Sequence, residues 1–238
     1  MNKINFKFNL HSFAVTLPDE ASKSVLAEIF KEQEYKAAET VIIEATEPVV
    51  DVGAHVGLFV LYVRALNHFV PVYALEPEET NFKILQQNIK ENKLTKIKSL
   101  QIALGGRTEQ GNLLLSPDSH NHRLETAPDS GELEKGQEEP TNQLVKIHSL
   151  RDFLDQERIK IISLLKMDIE GGEYDVFSAC MPADFARIKN VIMEYHNYGG
   201  LNYKEIEIQL RENGFGVQIF PSKFDKKMGF IFGKNKRI

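Results

Sequence analysis

Four nearly unbroken apolar runs, at residues 49–52, 70–75, 161–167 and 191–195, constrain the fold of this 238-residue chain more than any other feature. A strand with one wet face alternates polar and apolar residues. A run this apolar must be covered on both faces, as strands of a parallel sheet are. Helical sequence lies between the runs: residues 57–66 follow the first, and residues 78–92 follow the second with Phe82, Leu85 and Ile89 on one side. A third strand is expected at residues 97–104 and a short extra one at 113–115. Such alternation predicts a doubly wound α/β fold. The last two runs, residues 216–221 and 228–233, stand too close for the long crossover of a parallel pair, so they must be antiparallel.

Before this unit, Ile4, Phe6 and Phe8 alternate with Lys3, Asn5 and Lys7, and Phe13, Val15 and Leu17 follow a polar turn, which predicts a β-hairpin. A helix after Pro18 puts Val25, Leu26, Ile29 and Phe30 on one face. Residues 1–45 are therefore expected to be a hairpin and helix packed on a main domain of residues 46–238. Residues 116–142 are polar, acidic and broken by Pro and Gly, which predicts a mobile loop. Its first part concentrates His120, His122 and Arg123.

The net charge of −5 offers no positive field to gather nucleic acid, so no nucleic-acid partner is expected. The alternating N-terminus holds no apolar stretch long enough for a signal peptide or a membrane span. A single cysteine, Cys180, excludes an intramolecular disulfide and fits a reducing, cytoplasmic compartment.

The turn after the first run narrows the ligand. A dinucleotide fingerprint places G-x-G-x-x-G there. This chain reads Asp51-Val52-Gly53-Ala54-His55-Val56-Gly57, with a carboxylate in place of the first glycine and the last glycine one position late. A carboxylate repels a pyrophosphate and attracts an ammonium group, which argues against a nicotinamide-dependent oxidoreductase. Glu76 follows the second run, 25 positions after Asp51, where an acidic residue accepts both hydroxyls of a ribose. An amino-acid end, a ribose and no phosphates describe S-adenosylmethionine. The plainer alternative is that Asp51 caps a helix and Glu76 is solvated.

Asp51-x-Gly53-Ala54-x-x-Gly57 with Leu75-Glu76-Pro77 resembles the class I, seven-stranded S-adenosylmethionine-dependent methyltransferases, whose Rossmann-like sheet ends in an antiparallel last strand. K-M-D-I-E-G-G-E at 166–173 and V-I-M-E-Y-H at 191–196 are similar to the FkbM family, as are Glu28-Ile29-Phe30 with Tyr35 and H-N-H-R-L at 120–124. The likeness spans residues 28–233. It implies donor contacts from Tyr35, Asp51, Gly53, Ala54, His55, Gly57, Glu76, Pro77 and Asp168, with the adenine near Ala103 and Leu104. It also implies a small-molecule or glycan acceptor: a sugar, glycolipid or polyketide-like natural product.

Chemistry is expected at two strand ends. Asp168 and Glu170 are two apart, as are Glu194 and His196, so each pair points one way, toward the edge where open α/β sheets bind ligands. His196 is the expected base for a hydroxyl acceptor, with Asp168 as orienter or alternative base. All four are acceptable metal ligands, but no spacing is diagnostic and no metal is expected. His122 and Arg123 are expected to be carried over the acceptor by the loop. Methylation of nitrogen or carboxyl acceptors, and a non-catalytic binding domain, are the competing readings.

Overall fold

A computed structural model describes residues 1–125, 141–197, 199–222, 225 and 227–238. The chain opens with an antiparallel hairpin, β1 (Asn2–Phe8) and β2 (His11–Leu17). Its phenylalanines pack with Phe30 and Tyr62. The free edge of β2 meets a helix rather than water. Asn88 accepts from the Thr16 amide at 2.8 Å and donates to the Thr16 carbonyl at 3.1 Å, and Asn92 treats Ala14 in the same way. Two side-chain amides on the helix Glu79–Glu91 thus stand in for a strand.

β3 (Val49–Val52), β4 (Val72–Leu75) and β5 (Ile97–Leu100) follow, separated by the helices Leu58–Leu66 and Glu79–Glu91. The expected strand at 97–104 splits. After Leu100 the chain leaves the main sheet, and β6 (Ala103–Leu104) joins a second sheet with β7 (Glu109–Leu114), β8 (Arg123–Leu124) and β9 (Asn142–His148). The split follows from burial on two sides: Leu104 packs into the main core while Ala103 faces a small separate cluster with Leu113, Leu124, Val145 and Ile147.

β10 (Leu164–Met167), β11 (Asn190–His196), β12 (Phe215–Pro221) and β13 (Met228–Asn235) complete the main sheet, with helix Glu173–Ala179 between the first two. The seven strands run in the order β12-β13-β11-β10-β3-β4-β5. β13 is antiparallel to both neighbours and the remaining pairings are parallel. The sheet separates two cores. Val49 joins the hairpin side with Phe59 and Tyr62, and Val50 and Val52 join the side of Leu165, Phe177 and Met193. No helix among the described residues is long and apolar enough to cross a membrane.

The expected loop at 116–142 needs correction at both ends. Arg123–Leu124 pairs with Leu113–Leu114, and Asn142 already belongs to β9. Ser119 is held from three directions: its amide donates to Asp19 at 2.9 Å, its carbonyl accepts from Asn81 at 2.8 Å, and its hydroxyl lies 2.8 Å from His55 Nε2. Buried Leu124 and these polar contacts build residues 116–125 onto the domain. Residues 126–140 of that loop lie outside the described residues.

Candidate active site

The turn after β3 has a backbone that only certain residues tolerate. Gly53 has φ +73°, His55 +49° and Gly57 +89°. The Gly53 and Ala54 amides donate to the Leu75 carbonyl at 3.0 and 2.9 Å, tying the turn to the tip of β4. A Cβ on Gly53 would lie 1.9 Å from the Asp168 carbonyl oxygen, so the turn and the loop after β10 touch through backbone. This close approach places Asp168 beside the glycine turn.

Over these strand tips lies a cavity of about 410 Å³, within the usual range of roughly 300–1,000 Å³ for small-molecule sites. Gly53, Ala54, His55, Glu76 and Pro77 line one side of the expected set, with Ala103 and Leu104 beyond them. Tyr35, Asp168, Glu170 and Glu194 line the other, and His122 and Arg123 come from the 116–125 segment. Asp51, Gly57 and His196 are not in the lining.

Glu76 is only 5% exposed. One carboxylate oxygen accepts the His55 amide at 2.8 Å and the other the Glu78 amide at 2.9 Å. Burial pushes this carboxyl up to about 7, against the pull of those two hydrogen bonds. His55 is pushed down to about 3 by burial, and burial likewise lowers His122, so both present neutral rings. His122 Nδ1 accepts the Ser116 amide at 2.9 Å.

Asp51 does not wait for an ammonium group from a ligand. In the parallel register Asp51 lies beside Lys166, whose Nζ sits 3.1 Å from its carboxylate. Both side chains are buried, at 0% and 4% exposure. Lys166 also donates to the Gly53 carbonyl at 3.0 Å. Burial alone would lower the lysine, but Asp51 and Asp168 hold it above its ordinary range. Burial pushes the Asp51 carboxyl up while Lys166 pulls it down, and at 3.1 Å the ammonium favours the anion, so the pair braces the glycine turn from beneath. The expectation that Asp51 binds the ligand's ammonium is corrected accordingly. Neither spacing nor composition revealed Lys166; the signal was a charge inside an apolar strand.

The ligand-facing negative charge comes from elsewhere. Glu28, Glu34, Asp168, Glu170 and Glu194 all line the cavity. Crowding and burial show in their protonation. Burial, then Glu28 and Asp168, push Glu34 up to about 7. Burial and then Asp168 push Glu194 well above the carboxylate range. Glu170, at φ +53°, is pushed up to about 7 by burial while His196 pulls it down. Glu28 stands in the family element with Ile29 and Phe30 but carried no expected site role, and Glu34 was missed because no motif marks it. Tyr35, 4% exposed, packs edge-on to Phe59 at 4.8 Å and to Phe230 at 5.6 Å.

His196 sits behind this wall, 1% exposed. Its Nε2 is 3.5 Å from Glu170 and its Nδ1 is 3.8 Å from Glu173. Burial opposes a charged imidazole, yet Glu173, Glu170 and Glu194 outweigh it and hold His196 up to about 10. The ring is absent from the cavity lining, so its place sets Glu170, rather than His196, against an acceptor. One ligand atom each from Asp168, Glu194 and His196 lies within 4.8 Å of the others.

Residues 51–217 match the methyltransferase FkbM domain. The chain belongs to that family. It is an S-adenosylmethionine-dependent methyltransferase of the FkbM type. Among curated proteins, this FkbM methyltransferase is 25% identical to Methyltransferase 1 of Beauveria bassiana over 182 residues, covering 72% of this chain and 73% of that protein. It is 26% identical to the 31-O-demethyl-FK506 methyltransferase FkbM of Streptomyces tacrolimicus, covering 71% and 72%. Its fold is similar to that of a solved rRNA methylase from Streptococcus thermophilus, with a TM-score of 0.53 at 10% identity over 85% of this chain and 96% of that one.

The FkbM cavity fits the donor in its chemistry. Buried Glu76 offers a carboxylate for hydroxyls, and the acidic wall suits a ligand carrying a sulfonium and an ammonium.

Proposed function

We propose that this FkbM methyltransferase methylates a hydroxyl of a sugar, glycolipid or natural-product-like acceptor. The observation that carries the reading is Glu170, a carboxylate on the cavity wall held in place 3.5 Å from the buried His196. An alcohol must lose its proton to become a nucleophile, whereas a neutral amine need not, so a placed carboxylate favours oxygen. The name of the Streptomyces relative, a 31-O-demethyl-FK506 methyltransferase, supports the same direction.

Glu76 would hold the ribose hydroxyls, Pro77, Ala103 and Leu104 would border the adenine, and one oxygen of Asp168, beside the glycine turn, would face the amino-acid end. Held there, the donor would supply a sulfonium methyl, its C–S bond breaking as the bond to the acceptor oxygen forms. Glu170 receives the hydroxyl proton. Arg123 and His122 line the acceptor's approach.

The test is Glu170→Gln assayed against a panel of hydroxylated and amine acceptors. Loss of a proton acceptor lowers kcat by about 10²–10⁴-fold, with S-adenosylhomocysteine affinity retained. An unaltered kcat, or turnover of amines alone, sinks the hydroxyl assignment.

A further inference from the structure

We propose that Asp168, Glu194 and His196 hold one first-row divalent cation on the acceptor side of the cavity, where it chelates an acceptor presenting two adjacent oxygens. The role given to the cation rests on the methyl-transfer reading above; the ligand set does not.

Three observations meet at this place. The first is convergence: one ligand atom from each residue lies within 4.8 Å of the other two, and they come from the tips of neighbouring parallel strands β10 and β11. The second is support behind the imidazole. Glu173 stands 3.8 Å from His196 Nδ1, is itself 0% exposed, and is anchored by the Ile169 and Gly171 amides at 2.8 and 2.9 Å. A fixed carboxylate on one imidazole nitrogen orients the other toward a metal, the usual second layer of a histidine ligand. This leaves Nε2 on the side of Glu170, where the cavity is.

The third is charge. Seven carboxylates line one cavity against two cations, Arg123 and Lys166, and Lys166 is already committed to Asp51. Asp168 and Glu194 lie on β10 and β11, whereas Glu76 follows β4, with β3 between the two groups in the sheet. The cluster is therefore displaced from the ribose acceptor toward the space left for the second substrate.

Two carboxylates and an imidazole suit Mn²⁺, Co²⁺ or Zn²⁺ better than Ca²⁺. Three protein ligands leave coordination positions for the acceptor, and two adjacent oxygens fill them best. That selects vicinal diols and hydroxy-carbonyl groups. A coordinated hydroxyl then loses its own proton more readily, and Glu170 takes it.

The experiment is a Mn²⁺ titration of the chelator-stripped protein followed by electron paramagnetic resonance, beside a calorimetric titration with S-adenosylhomocysteine. The expected result is one tightly held Mn²⁺ per chain, with nitrogen modulation in its spin echo from the imidazole. Glu194→Gln weakens Mn²⁺ by roughly tenfold or more, while Glu44→Gln, exposed and outside the cavity lining, leaves it unchanged. Absence of Mn²⁺ binding in the unmodified protein overturns the proposal without any variant, as does binding with no nitrogen signal. If S-adenosylhomocysteine binds and Mn²⁺ does not, the metal site falls and the methyltransferase reading stands. Mn²⁺ binding without S-adenosylhomocysteine keeps the metal site and removes its assigned role.

Discussion

Lys166→Met tests the brace under the glycine turn. The substitution keeps most of the side chain's apolar volume, so little of its effect comes from a cavity. What it removes is the cation 3.1 Å from a carboxylate with 0% exposure. Stripping one member of a buried pair costs about 3–5 kcal/mol, because the other charge is left without a partner. Adding Asp51→Asn removes that stranded charge. The double variant is therefore expected to recover part of the loss, with a coupling energy of roughly 1–3 kcal/mol. Urea unfolding followed by circular dichroism measures all four proteins. The single variant should shift the midpoint at unchanged slope, and salt should alter the shift little because the pair is buried. A cost below about 1 kcal/mol, the value of an exposed pair, would refute the description of Asp51 and Lys166 as an ionised buried brace. Additive effects of the two changes would refute it equally.

Glu76 makes two pH predictions of opposite sign. Its carboxyl titrates near 7 instead of 4.5, and the ionised form is the better acceptor for ribose. S-adenosylhomocysteine affinity should therefore fall as pH drops below about 7, by up to ~tenfold per unit; a flat calorimetric profile from pH 5 to 8 contradicts this. In the same window the folded chain holds a proton that the unfolded chain releases, so this group's contribution to stability, full below 4.5, is lost as pH rises through about 7. Gly53→Ala should abolish donor binding and lower stability, since its Cβ would meet the Asp168 carbonyl at 1.9 Å with φ at +73°. Normal S-adenosylhomocysteine binding by that variant would show that turn and loop do not touch.

The sheet was legible because its central strands are covered on both faces, and apolar runs are how that burial is written in a sequence. The split at 97–104 was not legible. Leu104 and Ala103 are apolar for two different cores, and no periodicity separates those uses. The turn residues Gly53 and Gly57 could be read because their backbone demands glycine. Lys166 and Asp51 could not be paired in advance, since the register between β3 and β10 is set by tertiary packing. Glu194 and His196 share a face of β11 as their spacing requires. Yet Glu194 lines the cavity, while His196 is buried one layer behind the lining between Glu170 and Glu173. Spacing gives direction along a strand and says nothing about what stands in front of it.

β13 carries a consequence for how the chain matures. It lies between β11 and β12, so β11 has no partner on that edge until residues 228–235 have left the ribosome. Until then the strand bearing Glu194 and His196 is an open edge, prone to pair with another chain. The strand that carries Glu194 thus gains its second neighbour only once β13 has joined the sheet. A released chain truncated before Met228 should be captured by chaperones and should not retain donor, whereas one extending past Asn235 should escape capture and bind it.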